Sequence, residues 1–71
     1  MNRIAVISSD LKSVGYEPSS QTLAIEFRNG ALYEYHPVPD GLYAALLSAA
    51  SHGKFFNQQI RNAGFICTKI G

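Results

Sequence analysis

The sequence predicts an α+β fold: an antiparallel β-meander of three strands, then two helices and a C-terminal strand. Three observations carry this. Leu23, Ile25 and Phe27 alternate with Ala24, Glu26 and Arg28 and run into an Asn29-Gly30 reversal. Pro37 and Pro39 close the sheet and lead into apolar residues at helical spacing. Beyond Asn62-Ala63-Gly64 the chain becomes β-rich again, from Phe65 to Ile70.

The first elements are short. Ile4 to Ile7 is a continuous apolar run that suits a brief strand or strand extension, and Ser8-Ser9-Asp10 interrupts it as a turn or bulge. Leu11 to Tyr16 resumes an extended pattern, with Val14 and Tyr16 on one face and Ser13 and Gly15 on the other. Glu17-Pro18-Ser19-Ser20-Gln21 is a loop by composition.

The hairpin from Thr22 to His36 can be read to its register. A two-residue Asn29-Gly30 loop would set Ile25 against Glu34 and Leu23 against His36, mixing core with charge. A three-residue Arg28-Asn29-Gly30 loop sets Phe27 against Ala31, Ile25 against Tyr33 and Leu23 against Tyr35. A slip of one residue exchanges the two faces, so the apolar pattern selects the second register. It requires Gly30 in a left-handed bulge position after a type I turn. Tyr33 and Tyr35 then face the core, and Glu26 and Glu34 share the outer face with Ala24 and Leu32.

Pro39 suits a first helical turn, and Asp40 complements the helix dipole. Leu42, Leu46 and Ala49 define the buried stripe, widened by Tyr43, Leu47 and Ala50. Ser51-His52-Gly53 ends that helix, with Ser51 capping a second one from about Lys54 to Arg61. Phe56 and Ile60 form its i, i+4 apolar pair, Phe55 joins them, and Gly64 suits a left-handed stop.

Seventy-one residues make one domain, spanning 1–71. A chain this short buries only about 60% of its unfolded surface. Its 46% hydrophobic content, with four Phe and four Tyr, still supplies a core. A net charge of +1 argues against strong nucleic-acid affinity, which phosphate neutralisation dominates, but allows a local basic patch. The start Met1 to Ile7 lacks the features of a signal peptide, and no run approaches the ~20 residues of a membrane span, so a cytoplasmic location is expected. The single Cys67 excludes an intramolecular disulfide and is expected as a small buried apolar group.

No catalytic constellation is visible. Ser8, Ser9 and Ser51 lack an evident base and orienting acid, and His36, His52 and Cys67 lack metal-ligand spacing. Neither an enzyme nor a metal or cofactor is therefore expected. Glu26 and Glu34, with Arg28 near, read as a charged sheet surface. The candidate binding residues are Lys54, Asn57 and Arg61, which share the outward face of the second helix beside Gln58. With Gly53 opening that helix, an exposed N-terminus and two cations suit a phosphate. Arg28 at the hairpin tip and Lys69 extend the patch if the fold brings them near.

The ordered set of Ser8-Ser9, Val14-Gly15-Tyr16, Leu23 to Phe27, Tyr33-Glu34-Tyr35, Val38-Pro39 and Ser51-His52-Gly53-Lys54-Phe55-Phe56-Asn57, followed by Ile60-Arg61, resembles the KTSC domain family. That family takes its name from the C-terminal region of some lysyl-tRNA synthetases and also occurs as small free-standing bacterial proteins. The resemblance implies a shared fold and, through the association with synthetases, RNA binding. The expected function is a non-enzymatic module binding RNA or another nucleic acid through Lys54, Asn57, Arg61 and Arg28. The alternative is a protein-interaction module, with a protein partner or a second copy on the outer sheet face or an edge strand.

Overall fold

The computed structural model describes residues 3–71; the sequence reading of Met1 and Asn2 lies outside them. Among the described residues, five strands form one antiparallel sheet in sequential order: β1 (Arg3–Ala5), β2 (Leu11–Glu17), β3 (Thr22–Phe27), β4 (Leu32–His36) and β5 (Ile66–Lys69). Helix α1 (Asp40–Ser48) and helix α2 (His52–Phe56), which widens into a π-helical turn over Asn57–Arg61, connect β4 to β5. No helix here is long and apolar enough to cross a membrane.

The expected three-stranded meander is extended at both ends. Arg3–Ala5 is a strand of its own that pairs with β2, Ile4 standing opposite Val14. It falls earlier than the apolar run suggests, because Ser8 turns the chain: its Oγ accepts from the backbone N–H groups of Asp10 (3.2 Å) and Leu11 (3.3 Å). At the other end β5 joins β4, Cys67 opposite Tyr35 and Lys69 opposite Tyr33. Hydrogen bonds from Leu32 to Gly71 and from Ile70 to Leu32, both 2.8 Å, prolong that ladder.

The hairpin register is the three-residue one. Leu23 faces Tyr35 and Ile25 faces Tyr33, Phe27 donates to the Ala31 carbonyl at 2.8 Å, and Gly30 has φ +92°. Only glycine adopts that φ without a steric penalty from Cβ. Gly64, at φ +86°, follows the π-turn in the same way.

The core lies between the sheet and the helices. Leu11, Val14, Leu23, Ile25 and Tyr35 from the sheet meet Val38, Leu46, Phe56 and Ile60. Phe56 is its largest fully buried side chain. It contacts Tyr35 edge-on (5.3 Å between centroids) and Phe27 likewise (5.5 Å). Helix α1 is fastened at its start, where Tyr16 stacks on Tyr43 at 4.7 Å. The Tyr16 hydroxyl also lies within hydrogen-bond reach of the Val38 carbonyl and Asp40. Only Leu46 of α1 is fully buried, and Leu47 and Ala50 are exposed, so the stripe is narrower than the apolar spacing suggests. The helix stops at Ser48, leaving Ala49 extended at ψ 141°.

Two surface expectations change. Cys67 is exposed, not buried. The helices stop short of the β5 edge, and every residue of β5 is exposed. On the outer face Ala24 is hidden (4% exposed) and Leu32 half-buried, whereas Ile66 and Ile70 stand out at 64% and 47%. Glu26 there is paired by Arg3 (4.0 Å) and the Ser13 hydroxyl (2.9 Å), not by Arg28.

Candidate nucleic-acid interface

Arg28 leaves the sheet at the hairpin tip and turns towards the β1–β2 connection. Its backbone N–H donates to the Asp10 carbonyl (3.0 Å) and its Nε to the Ser8 carbonyl (2.9 Å). A longer contact of 3.5 Å runs from Nη2 to the Val6 carbonyl. These bonds pin the Ser8–Asp10 turn to the hairpin. Opposite them stands α2, whose first turn is capped by Ser51, with Lys54 N–H donating to its Oγ at 3.3 Å.

Between the turn, the hairpin tip and α2 lies a cleft of about 370 Å³. One wall is Ser9, Asp10 and Leu11, the second Phe27, Arg28 and Asn29, the third Gly53, Phe56, Asn57 and Arg61. Its volume falls within the roughly 300–1,000 Å³ common for small-ligand pockets. Three of the four residues selected from the sequence, Arg28, Asn57 and Arg61, thus meet in one place. Lys54 is exposed on the same helix but does not line the cleft, and Lys69 is on β5 opposite Tyr33.

The guanidinium of Arg61 is held on three sides. Nη1 donates to Asn57 Oδ1 at 3.2 Å. Cζ lies 5.8 Å from the Phe27 ring centroid and 5.7 Å from that of Phe56. The π-turn supports this placement: Asn62 Nδ2 donates to the Asn57 carbonyl at 2.8 Å, occupying an oxygen where the helical ladder changes pitch. Single π-turns inside helices recur at functional sites.

The start of α2 differs from expectation. Gly53 is buried, not exposed. A Cβ there would meet Asp10 Oδ2 at 3.2 Å and Ser8 Oγ at 3.3 Å. The Asp10 carboxylate therefore sits where the sequence suggests a phosphate. Sequence reasoning passes over Asp10 because Ser8-Ser9-Asp10 reads as turn residues alone. What places it is the pairing of β2 with β3, which sets Leu11 opposite Phe27 and so brings Asp10 beside Arg28.

The tyrosine pair is core, as the register requires. Tyr35 is 4% exposed, and Tyr33 is half-buried with its ring edge-on to Phe27. Burial pushes the Tyr35 hydroxyl pKa up to about 12, with its Cys67 contact acting in the same direction and the nearby Arg61 guanidinium opposing. The raised value favours the protonated form in the folded state. That stability is complete below the unfolded value near 10 and is lost as pH climbs towards 12. In a phenolate absorbance titration of the folded domain, Tyr35 is expected to ionise near pH 12, in step with a fall in stability. Tyr35→Phe should remove that step, and a titration identical to wild type would contradict the burial argument.

His36 and His52 have structural partners: Nδ1 of the first lies 3.0 Å from the Ser20 carbonyl, and Nδ1 of the second 2.9 Å from the Leu46 carbonyl. With Ser51 engaged as a cap, these residues form no site of their own.

The fold and cleft define a small α+β domain with an aromatic-floored recess lined by two arginines and Asp10. The chain belongs to the KTSC domain family, whose model matches residues 7–65. It is 52% identical over 58 residues to an uncharacterised protein of Stutzerimonas stutzeri, covering 82% of each chain. It is 42% identical over 53 residues to a lysine–tRNA ligase of a Nostoc species, covering 75% of this chain but only 9% of the ligase. Among solved structures it matches a KTSC domain protein of Yersinia pestis with a TM-score of 0.93 and 40% identity. That match covers 99% of this chain and 97% of the other.

Proposed function

We propose that this domain is a non-enzymatic binding module whose ligand is nucleic acid, with single-stranded RNA favoured. The observation that carries the reading is the convergence of Arg28, Asn57 and Arg61 on one cleft floored by Phe27 and Phe56. Guanidinium groups neutralise phosphates and stack on bases, and the partly exposed Phe27 ring beside them adds an apolar contact. Lys54, exposed on the same helix, adds charge for the flanking backbone. The likeness to lysine–tRNA ligases gives a second line of support, since those proteins carry a similar segment. With a net charge of +1, affinity is modest and falls steeply with salt. The test is binding of tRNA and of an unstructured RNA across a salt series; absence of salt-sensitive binding removes the proposal.

A second reading rests on a different surface. Ile66 on β5 and Ile70 just beyond it are exposed, and β5 is an edge strand paired on one side only. Two copies joined edge to edge through β5 would continue the sheet and set these residues beside their counterparts on its outer face. Light scattering across a concentration series is then expected to show a dimer, and a constant monomer mass excludes it.

A further inference from the structure

The Asp10 carboxylate stands out within the cleft. A recess that held phosphate alone would gain nothing from an anion in its wall and would lose affinity by repulsion. Yet Asp10 lines the same space as Arg28 and Arg61. Among the described residues neither arginine pairs with it, the ion pair formed being Arg3–Glu26 outside the cleft. No side-chain hydrogen bond of the described residues ends on its carboxylate oxygens either; its own backbone N–H is what Ser8 holds. An ionised carboxylate only accepts hydrogen bonds. Asp10 is exposed, so water solvates its carboxylate in the free domain, and within the cleft it is open to a ligand group rich in donors.

We infer that the cleft takes an unstacked guanine base, read by the Asp10 carboxylate and stacked on the Arg61 guanidinium. This rests on the nucleic-acid reading above and sharpens it to a base. Guanine places an N1–H and an N2 amino group side by side on its Watson–Crick edge, and two carboxylate oxygens can accept both. Adenine and cytosine each set a ring-nitrogen acceptor beside their amino group, and uracil sets one N–H between two carbonyls. Each of these brings an oxygen or nitrogen lone pair against the carboxylate. The stacking surface is already in place. Asn57 and the Phe27 and Phe56 rings fix the Arg61 plane, and bases splayed from single strands stack on such planes. Arg28, with its carbonyl contacts to Ser8 and Val6, contributes positive charge at the rim for the nucleotide's phosphate.

The experiment compares short oligouridine strands carrying one central guanosine, inosine, adenosine or cytidine, by fluorescence anisotropy at low salt. The guanosine strand is expected to bind about tenfold more tightly than the adenosine and cytidine strands, the scale of one bidentate base contact. Inosine, which lacks the N2 amino group, should lose most of that advantage. Asp10→Asn supplies the decisive contrast. Removing a negative charge alone would tighten every strand equally and preserve the order. Loss of the base contact instead abolishes the guanosine preference while the other strands bind as well as before or better. Asp10 is exposed, so the variant should keep its fold, which its amide spectrum will show. Equal binding of all four strands by the wild type, or a guanosine preference that survives in Asp10→Asn, overturns the base assignment and leaves the nucleic-acid reading standing. Failure to bind any strand overturns that reading and this inference together.

Discussion

Phe56→Ala is expected to destabilise the domain by about 3–5 kcal/mol, the range for deleting a buried phenyl ring. The ring is 1% exposed and is the largest fully buried side chain of the domain. It also joins the two layers: from α2 it reaches Tyr35 in the sheet centre and Phe27 at the hairpin end. Both contacts are edge-to-face and add to the transfer energy of burial. A 71-residue chain has a total stability of about 4–11 kcal/mol at roughly 0.05–0.15 kcal/mol per residue. The substitution therefore removes about a quarter or more of it, and at the low end leaves the chain largely unfolded. Urea denaturation measures this directly, with Phe56→Leu as the variant that keeps bulk and should lose much less. A shift below about 1 kcal/mol for the alanine variant would mean that the cavity collapses and that Phe56 does not join the layers.

Charge reversal in the cleft has the largest expected effect on binding. Arg61→Glu places a carboxylate on the stacking position and removes a cation, and Lys54→Glu does the same for the exposed flank. Together they are expected to reduce RNA affinity by on the order of tenfold or more at low salt. The salt slope should become shallower by about 0.7 for each phosphate of the single strand that is no longer neutralised. Arg61 packs over two phenyl rings, so its replacement affects stability as well as charge. Arg61→Gln separates the two: it keeps a polar planar group there without the cation. Lys54→Glu separates rim from recess, since Lys54 does not line the cleft. If the double reversal leaves affinity and salt slope unchanged, this face of α2 is not where nucleic acid binds.

The hairpin is legible in the sequence because its signals are local and redundant. Period-2 alternation in β3 and the Asn29-Gly30 turn agree on one register, and any slip would bring Glu34 into the core. The Ser51 cap and the Phe56 and Ile60 pair are legible for the same reason, each depending on neighbours within one turn. The Arg3–Ala5 strand is harder to place, because three residues carry little periodic signal and the turn that sets it depends on a Ser8 side-chain bond. Cys67 misleads because apolar character in a terminal strand does not say whether a helix covers it.

Local sequence by itself determined the α+β class, the hairpin register, the Ser51 cap of the second helix (which begins at His52, two residues before the expected Lys54) and the fact that Tyr33 and Tyr35 belong to the core. These follow from side-chain periodicity and turn chemistry, which act over a few residues. Tertiary structure alone decided that Arg28, from the hairpin, meets Asn57 and Arg61, from the far end of α2. It alone placed the Asp10 carboxylate beside Gly53, at the helix start expected to be free of negative charge. The reason is geometric: these residues come from distant parts of the chain. Their proximity is set by how α2 packs its Phe56 against the sheet, a contact that no local pattern encodes.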